Sequence, residues 1–270
     1  MDSPGRHFRA LHEKPGAFVI PNPWDPGSAR ILTTMGFQAL ATTSSGMAFG
    51  LGLPDGAVTP DLVLDHCRAL LAVTDLPISA DLERGFGDDP ESVARTIKAA
   101  AECGLAGCSI EDHAGNVSEP IYETSLAIER IQAACEARDA LADDFVLTAR
   151  CEHLLWGETS LDPVIERLQA FDAAGADVLY APGLHSLEAM GQVCAAVTKP
   201  VNTVIEMPGK PFSLAEIAET GVKRISIGAV FARLAYGSLV QAAQELQTSG
   251  TFGFVEEAFD YDTLEAYFRS

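Results

Sequence analysis

Residues 77–111 read PISADLERGFGDDPESVARTIKAAAECGLAGCSIE, and this segment carries the signals of one strand–helix–strand unit. Its two short apolar runs, Pro77–Asp81 and Gly107–Glu111, are continuous rather than alternating, as in parallel strands covered on both faces. Between them, Asp89 precedes a proline, and a capping carboxylate before a proline is typical of a helix start. Gly104 then supplies the left-handed residue that ends a helix. The segment therefore predicts a strand, a helix and a second, parallel strand.

The same signals recur along the whole chain. The glycines predicted to end helices are Gly36, Gly104, Gly175 and Gly221. The residues predicted to cap helix starts are Asp25, Thr59, Asp89, Asp162 and Ser213. The predicted strands are Ala17–Pro21, Ala39–Thr43, Pro77–Asp81, Gly107–Glu111, Phe145–Arg150, Asp177–Ala181, Val201–Ile205 and Arg224–Gly228. Eight strands that alternate with helices predict an α/β fold, a (β/α)8 TIM-type barrel.

A doubly wound open sheet is the alternative fold. Such sheets usually have fewer strands, and their nucleotide-binding forms carry a glycine-rich loop after the first strand. Residues 22–26 occupy that position here and read NPWDP, without the G-x-G-x-x-G pattern. No linker interrupts the chain, so we expect one barrel domain over residues 1–270, with residues 240–270 as a C-terminal helical extension. This tail is rich in aromatic residues, and it is expected to pack either on its own barrel or on another subunit.

The composition excludes several classes of partner. The 270 residues carry a net charge of −20, which argues against a nucleic acid or an anionic membrane as partner. No apolar run approaches the ~20 residues that a membrane span needs, and the N-terminal stretch is polar. The six cysteines form no C-x-x-C pair, which is typical of free thiols in a reducing compartment. We therefore expect a cytoplasmic protein.

Acidic side chains stand at the carboxyl ends of neighbouring strands, where (β/α)8 barrels hold their active sites. Asp81 and Glu83 are two residues apart, so on an extended backbone both side chains point the same way. Glu111 ends the next strand, about 4.8 Å away in a parallel ladder, and Asp55 follows the second strand. Carboxylates this close favour a shared divalent cation, and oxygen-only ligands fit Mg²⁺ or Mn²⁺.

Basic and small residues at other strand ends suggest contacts with an anion. Arg150 ends a buried strand and therefore needs an anionic partner, which is either a protein carboxylate or a substrate carboxylate. Ion pairing of the acidic group with Arg84 or Arg150 is thus the alternative to a metal site. Residues 45–47 lie at a strand-to-loop turn, where successive backbone N–H groups could bind an anion.

At these residues the chain resembles the isocitrate lyase and phosphoenolpyruvate mutase superfamily. The matching stretches are TTSSG at 42–46, LPDG at 53–56, SADLERGFG at 79–87, SIED at 109–112, TAR at 148–150 and the region of Asn202. The resemblance extends over about residues 8–230. The segment FVIPNPWDPGSAR at 18–30 is closer to the mutase-like members than to the named lyases.

The resemblance implies a role for each matching residue. Asp81 resembles the family's direct Mg²⁺ ligand. Three further residues resemble the carboxylates that hold the metal-bound waters, namely Glu83, Glu111 and Asp55. The residues implied in substrate binding are Ser45, Gly46, Met47, Arg150 and Asn202. The residues implied in catalysis are Arg150, Glu111 and Asp55. Members are typically tetramers that swap their last helices, so we expect a homo-oligomer, a dimer of dimers, with swapped C-terminal helices.

The chain departs from the family at the loop after the fourth strand. The isocitrate and methylisocitrate lyases carry a K-[KR]-C-G-H sequence there, whereas residues 111–120 read EDHAGNVSEP, without lysine or cysteine. The acid that those lyases use is missing, which argues against cleavage of isocitrate or methylisocitrate. In addition, Glu83 replaces the usual aspartate, and Thr43 replaces a bulky aromatic residue, which widens the predicted pocket.

Together, the residues and the resemblance predict a Mg²⁺-dependent carbon–carbon lyase. It would cleave or decarboxylate a small 2-oxo or 2-hydroxy carboxylate through an enolate that the cation stabilises. One alternative is an enzyme of the phosphoenolpyruvate mutase or phosphonopyruvate hydrolase type, which acts on a P–C bond. The other is a non-catalytic protein that binds a 2-oxo acid.

Overall fold

All eight predicted strands form, each within its predicted bounds. The computed structural model describes residues 3–206 and 212–269. The strands are β1 (Phe18–Ile20), β2 (Leu40–Ala41), β3 (Ile78–Asp81), β4 (Gly107–Glu111), β5 (Val146–Arg150), β6 (Val178–Tyr180), β7 (Val201–Val204) and β8 (Arg224–Ser226). They make one parallel sheet in the order β1-β8-β7-β6-β5-β4-β3-β2. Because the first strand pairs with the last, the sheet curls into a barrel and is not an open, doubly wound sheet.

The barrel closes between β1 and β2 through a few contacts rather than a full ladder. The amide of Ala41 donates to the carbonyl oxygen of Pro21 at 3.0 Å. The side chain of Asn22 donates to the carbonyl oxygen of Thr42 at 2.9 Å and accepts from the amide of Gly228 at 3.0 Å. Asn22 thereby joins the ends of β1, β2 and β8, which completes the (β/α)8 architecture predicted from the sequence.

Helices surround the sheet and begin and end mostly where the caps predict. They are α1 (Pro4–Glu13), α2 (Pro26–Thr34), α3 (Ser44–Gly50), α4 (Pro60–Leu71), α5 (Pro90–Cys103), α6 (Thr124–Asp139), α7 (Leu161–Ala174), α8 (Leu187–Ala196), α9 (Leu214–Glu219), α10 (Val230–Ser249) and α11 (Tyr261–Ala266). All four predicted helix-ending glycines have φ between 86° and 102°. The cap predicted at Asp162 is wrong: Ser160, two residues earlier, caps α7, because its hydroxyl accepts from the amide of Asp162.

Helix α1 covers the amino-terminal end of the barrel. Phe8 and Leu11 pack there against residues at or near the starts of several strands, among them Ala106, Val146 and Val178. The second and larger core lies between the strands and the outer helices. Helix α1 thus seals the lower end, and ligands of (β/α)8 barrels bind at the opposite end, where the strands have their carboxyl ends.

A buried histidine and a buried arginine meet just above this seal. His12 lies within 3.4 Å of the Arg224 guanidinium, which also donates to Asn202 at 2.8 Å and to Thr148 at 2.9 Å. All of these partners are neutral. Burial and the positive charge of Arg224 lower the pKa of His12 to about 3, and burial lowers the pKa of Arg224 to about 10. His12 is therefore a neutral acceptor in the folded protein.

Acid is expected to destabilise the fold through His12. Between pH 6.5 and about 3 the unfolded chain binds a proton at this residue and the folded protein does not, so the free energy of unfolding falls as the pH falls through this window. The loss attributable to His12 is on the order of 4 kcal/mol. Urea unfolding at several pH values should show a shallower acid dependence for His12→Gln. His7→Gln, at an exposed position of the same helix, should follow the wild type, and parallel profiles for His12→Gln and wild type would refute this assignment.

The C-terminal segment contains a long helix, a 3-10 turn (Gly253–Glu257) and a short helix. The boundary predicted at residue 240 falls inside α10, which begins at Val230. Many apolar side chains of this segment are exposed: Leu234, Leu239, Val240, Leu246, Phe252, Val255, Phe259, Tyr261, Leu264 and Phe268. These side chains keep a large part of their surface in solvent, although the segment touches its own barrel where the hydroxyl of Thr34 donates to the carbonyl oxygen of Tyr267 at 3.4 Å. Within residues 3–206 and 212–269, no helix combines the length and the apolar character needed to cross a membrane.

Candidate active site

A cavity of about 560 Å³ opens at the carboxyl ends of the strands. The predicted site residues that line it are Ser45, Asp55, Asp81, Glu83, Glu111, Arg150 and Asn202. The lining also includes Ser44, Glu152, Tyr180, Glu206 and Arg224, which were absent from the predicted site. The interior of this barrel is therefore polar at its upper end, where branched apolar side chains are the rule in a packed barrel.

Asp81 is the most firmly held carboxylate in the cavity. The hydroxyl and the amide of Ser44 donate to Oδ2 of Asp81, at 2.8 and 3.2 Å. The amide of Glu83 donates to Oδ1 at 3.3 Å, and the amide of Asp81 itself donates to the hydroxyl of Thr42 at 2.8 Å. These contacts come from the end of β2, the start of α3 and the loop after β3. They fix the orientation of a carboxylate whose side chain remains partly open to the cavity.

Glu83 points into the cavity although it lies beyond the end of β3, where the alternation of side chains along a strand no longer applies. β3 ends at Asp81, and Glu83 has a φ of 49°, so the extended backbone assumed for both residues is wrong. Its Oε1 atom is buried and has no hydrogen-bond partner among the described residues. Burial, followed by the negative charges of Asp81 and Asp55, raises the pKa of Glu83 to about 7. The fold thus holds a poorly compensated carboxylate in the cavity.

Glu111 and Arg150 are partners in the β4–β5 register and face each other in the barrel. Nε of Arg150 lies 3.5 Å from Glu111 and 2.5 Å from Glu152, and a terminal nitrogen lies 3.8 Å from Asp81. Burial would lower the pKa of Arg150, but Glu152 and Glu111 raise it well above its usual range. For the carboxyl of Glu111, burial has the opposite sign and raises the pKa, although the positive charge of Arg150 opposes this shift.

Arg150 is therefore ion-paired with protein carboxylates, as expected from the ion-pair alternative to a metal site. The partner with the shortest contact is Glu152, which sequence reasoning did not place in the site. Its position just after the end of β5 is a signal that could have identified it, since residues that follow the strands line the open end of a barrel. On its other side, the guanidinium lies 5.1 Å from the ring centre of Tyr180. One guanidinium cannot neutralise all the carboxylates around it, so the cavity keeps an excess of negative charge.

Asp55 lies at the rim, on the exposed loop that follows α3. Partial burial and the negative charge of Asp81 raise the pKa of its carboxyl. Asp55 therefore lies close enough to Asp81 to be affected by its charge. The structure therefore brings all four predicted metal ligands to one cavity, with Asp55 as the most accessible of them.

The predicted anion-binding turn at residues 45–47 is the first turn of a short helix. The amide of Gly46 donates to the hydroxyl of Thr43 at 3.3 Å, and the amide of Met47 donates to the carbonyl oxygen of Thr43 at 3.0 Å. Met47 is buried in the main core. Both backbone N–H groups are thus already paired within the chain. Ser45 lines the cavity and keeps its place in the candidate site.

Asn202 lines the cavity, and its amide group has a defined orientation. Oδ1 of Asn202 accepts from Arg224 at 2.8 Å, and Nδ2 lies 3.2 Å from the hydroxyl of Ser226. Since Arg224 can only donate, it fixes the oxygen of the amide on its own side and leaves the nitrogen as a donor.

Aromatic groups border the cavity beside the loop after β4. His113 stacks on Trp156 with ring centres 4.4 Å apart, and its Nδ1 lies 3.8 Å from Glu111. Gly115 approaches Arg84 so closely that a Cβ atom there would overlap the guanidinium. The loop that lacks the lysine and the cysteine is thus packed against two other loops of the site.

A second cluster of possible metal ligands lies behind this wall. Asp112, Cys151 and His153 place their ligand atoms within 4.8 Å of one another. Arg167 lies 3.5 Å from Asp112, however, and its guanidinium already supplies the positive charge that this buried carboxylate requires. Burial also raises the pKa of the Cys151 thiol, which disfavours the thiolate that a metal would bind. This cluster has the chemistry of a buried ion pair.

The donors in the main cavity fit a hard divalent cation better. The unpartnered Oε1 of Glu83 needs a positive partner, and the pKa values of Glu83, Glu111 and Asp55 are all raised. Carboxylates that disfavour each other's ionisation are the arrangement that a divalent cation relieves. The ligand atoms are oxygens only, as Mg²⁺ and Mn²⁺ prefer.

Comparisons with known proteins show which family the chain belongs to. The family profile described as phosphoenolpyruvate phosphomutase matches residues 8–247. A 2-methylisocitrate lyase of Escherichia coli K12 is 35% identical over 209 residues, 74% of this chain and 69% of that protein. An oxaloacetate decarboxylase of Pseudomonas savastanoi pv. phaseolicola is 28% identical and covers 97% of this chain and 92% of its own length. A crystal structure from Burkholderia cenocepacia J2315, described only as a lyase/mutase, is 50% identical with a TM-score of 0.95 and covers 98% of this chain and 95% of that one.

Proposed function

Since the chain belongs to the phosphoenolpyruvate phosphomutase family, we propose that it is a carbon–carbon lyase that cleaves or decarboxylates a small 2-oxo or 2-hydroxy carboxylate. The observation that carries this proposal is the group of carboxylates around Arg150 at the open end of the barrel. An excess of negative charge there does not attract an anionic substrate by itself. The site therefore requires a cation before it can bind a carboxylate.

We assign the cation site to Asp81, Glu83, Glu111 and Asp55. Mg²⁺ fits their oxygen donors, and Mn²⁺ fits them as well. A bound divalent cation supplies a Lewis acid that stabilises negative charge developing on the oxo oxygen of the substrate. The contacts from Ser44 and Glu83 to Asp81 orient that carboxylate before a ligand binds. Binding therefore loses little conformational entropy at this side chain.

The residues of the chain bind and orient the carboxylate ends of the substrate. Nε of Arg150 is occupied by Glu152, which leaves its terminal nitrogens for a substrate carboxylate. The hydroxyl of Ser45 and the amide nitrogen of Asn202 are donors on the surrounding walls. Arginine and neutral donors together hold an anion in one orientation, and such positioning is a large part of catalysis.

The loop after β4 favours decarboxylation over retro-aldol cleavage. Residues 111–120 contain neither lysine nor cysteine, and His113 is stacked on Trp156. Loss of CO2 from a 2-oxo acid with a 3-carboxylate leaves an enolate that a proton from water converts to product, so no dedicated acid is required. The similarity to an oxaloacetate decarboxylase along almost the whole chain supports the same choice.

A direct assay tests this function. The protein is incubated with Mg²⁺ and oxaloacetate, and pyruvate formation is followed beside metal without protein and protein with EDTA. We expect pyruvate to form at least about a hundredfold faster with protein and metal together, a modest acceleration for an enzyme. A panel of 2-hydroxy and 2-oxo acids, including phosphonopyruvate, extends the test. Turnover of phosphonopyruvate alone would indicate P–C chemistry, and binding without any turnover would indicate a binding protein.

We also propose that the barrel works as a homo-oligomer in the cytoplasm. The exposed apolar side chains of α10 and the residues after it form a contiguous part of the chain, and so much apolar surface is costly to leave in water. A second copy of the chain would cover this C-terminal extension, as expected for swapped helices in a dimer of dimers, and the mass in solution reports it. All six cysteines are free, as in a reducing compartment.

A further inference from the structure

The loop between β3 and α5 has an unusual backbone. Within the described ranges, two residues other than glycine have a positive φ, Glu83 at 49° and Phe86 at 57°. Side chains with a Cβ atom rarely adopt this conformation, because Cβ approaches the backbone too closely. Such residues persist where the surrounding structure holds them, and they concentrate at functional sites. Both lie in the loop that presents Glu83 to the cavity.

The residue that holds this loop from outside is Arg130 on α6. Its guanidinium donates to the carbonyl oxygens of Gly87 at 2.7 Å and Asp88 at 2.5 Å, and also to that of Arg84. Arg130 is 1% exposed, and it lies over the ring of Tyr122 with 4.3 Å between the guanidinium carbon and the ring centre. The planar guanidinium therefore binds several main-chain oxygens of one short segment.

The hydroxyl of Tyr122 adds a further connection to the same segment, since it donates to the carboxylate of Asp88 at 2.6 Å. The amide of Gly85 donates across Glu83 to the carbonyl oxygen of Leu82 at 2.8 Å, and the amide of Glu111 donates to the carbonyl oxygen of Glu83 at 3.0 Å. Arg130 and Tyr122 thus fix the part of the loop after Glu83, while backbone bonds to Leu82 and Glu83 fix its start.

Glu83 depends on this support because no described group holds its carboxylate from within the cavity. Its Oε1 atom is buried without a hydrogen-bond partner, which costs free energy of desolvation. Such a carboxylate would turn toward solvent if its backbone were free to move. We infer that Arg130 is a positioning residue: it holds residues 84–88 so that the strained backbone directs Glu83 into the cation site. This inference rests on the proposed function for the identity of that site.

Lysine is the decisive substitution at position 130. It keeps the positive charge and the long aliphatic chain, but it cannot bind several carbonyl oxygens in one plane. Arg138 is a matched control, because it lies two turns further along the same helix and is also largely buried. Its guanidinium donates to the carbonyl oxygen of Gly175 and to Asp177, both at 2.9 Å, away from the cavity.

The experiment compares Arg130→Lys with Arg138→Lys by two measurements that need no substrate. Hydrogen exchange of the segment 82–90 is expected to become about tenfold faster in Arg130→Lys, the factor expected for loss of roughly one charge-assisted hydrogen bond. Mn²⁺ affinity, measured by electron paramagnetic resonance, is expected to fall about tenfold as well. Arg138→Lys should lower the thermal midpoint without either change.

Each result decides one question. Wild-type exchange and wild-type Mn²⁺ affinity in Arg130→Lys would overturn the positioning role, as would equal changes in Arg138→Lys. Faster exchange with unchanged Mn²⁺ affinity would overturn the link from Arg130 to Glu83 and leave only a structural contact. If wild-type protein binds no Mn²⁺, the proposed cation site fails, while the exchange measurement still tests whether Arg130 holds the loop.

Discussion

Replacing Asp81 with alanine is expected to lower kcat/KM for the metal-dependent reaction by about a thousandfold or more while the protein stays folded. Asp81 is the central carboxylate of the cluster, and three donors from Ser44 and Glu83 fix its two oxygens. No other carboxylate of the cavity has this degree of orientation, among those the structure describes. A thousandfold loss corresponds to about 4 kcal/mol of transition-state stabilisation, within the range of a catalytic cation.

Three measurements check this result. Pyruvate formation gives kcat/KM, electron paramagnetic resonance gives Mn²⁺ affinity, and thermal unfolding shows whether the variant is folded. Asp61→Ala is the matched control, since Asp61 is an exposed aspartate in the first turn of α4 and should leave all three values unchanged. A folded Asp81→Ala protein that keeps a tenth or more of the activity would reject the cation site.

Replacing Arg150 with lysine is expected to raise KM by about thirtyfold to a hundredfold. Arg150 holds Glu152 through Nε and offers its terminal nitrogens to a second carboxylate, whereas a lysine ammonium cannot make both contacts in one plane. A loss of this size corresponds to about 2–3 kcal/mol of binding energy. kcat should fall less than KM rises, because the variant keeps a positive charge beside Glu111.

Arg167→Lys provides the comparison for Arg150. Arg167 is also buried and pairs with Asp112, but it does not line the cavity. Its substitution should lower the thermal midpoint and leave KM unchanged. An unchanged KM in Arg150→Lys would remove this residue from the substrate site and leave it as the partner of Glu152 and Glu111 alone.

The elements of the fold could be predicted because each is signalled by neighbouring residues. Gly104 and Gly175 end helices since a residue without Cβ adopts positive φ at low cost, and this requirement is local. The caps at Asp25, Thr59 and Asp89 are equally local. The wrong cap at Asp162 shows the limit of such signals, because Ser160 offers the same chemistry two residues earlier and the structure uses it.

The candidate site could be predicted in outline for a different reason. Parallel strands end at the same edge of the sheet, so polar residues at several strand ends must come together, as Asp81, Glu111 and Arg150 do. The sequence did not show that α3 begins at Ser44. Because the helix begins there, the amides of Gly46 and Met47 are paired with Thr43, and the hydroxyl of Ser44 donates to Asp81. Which side chains meet across loops depends on packing between distant segments.

By itself, the sequence determined the order and the bounds of the strands, the barrel they form and the set of carboxylates at its open end. These follow from propensities and spacings that act within one strand–helix unit. Only the tertiary structure decided that Ser44 donates to Asp81, that Glu83 enters the cavity from a left-handed backbone, and that Arg130 holds this backbone in place. Such contacts join residues tens of positions apart, and their energies depend on burial and distance that no short stretch of sequence contains.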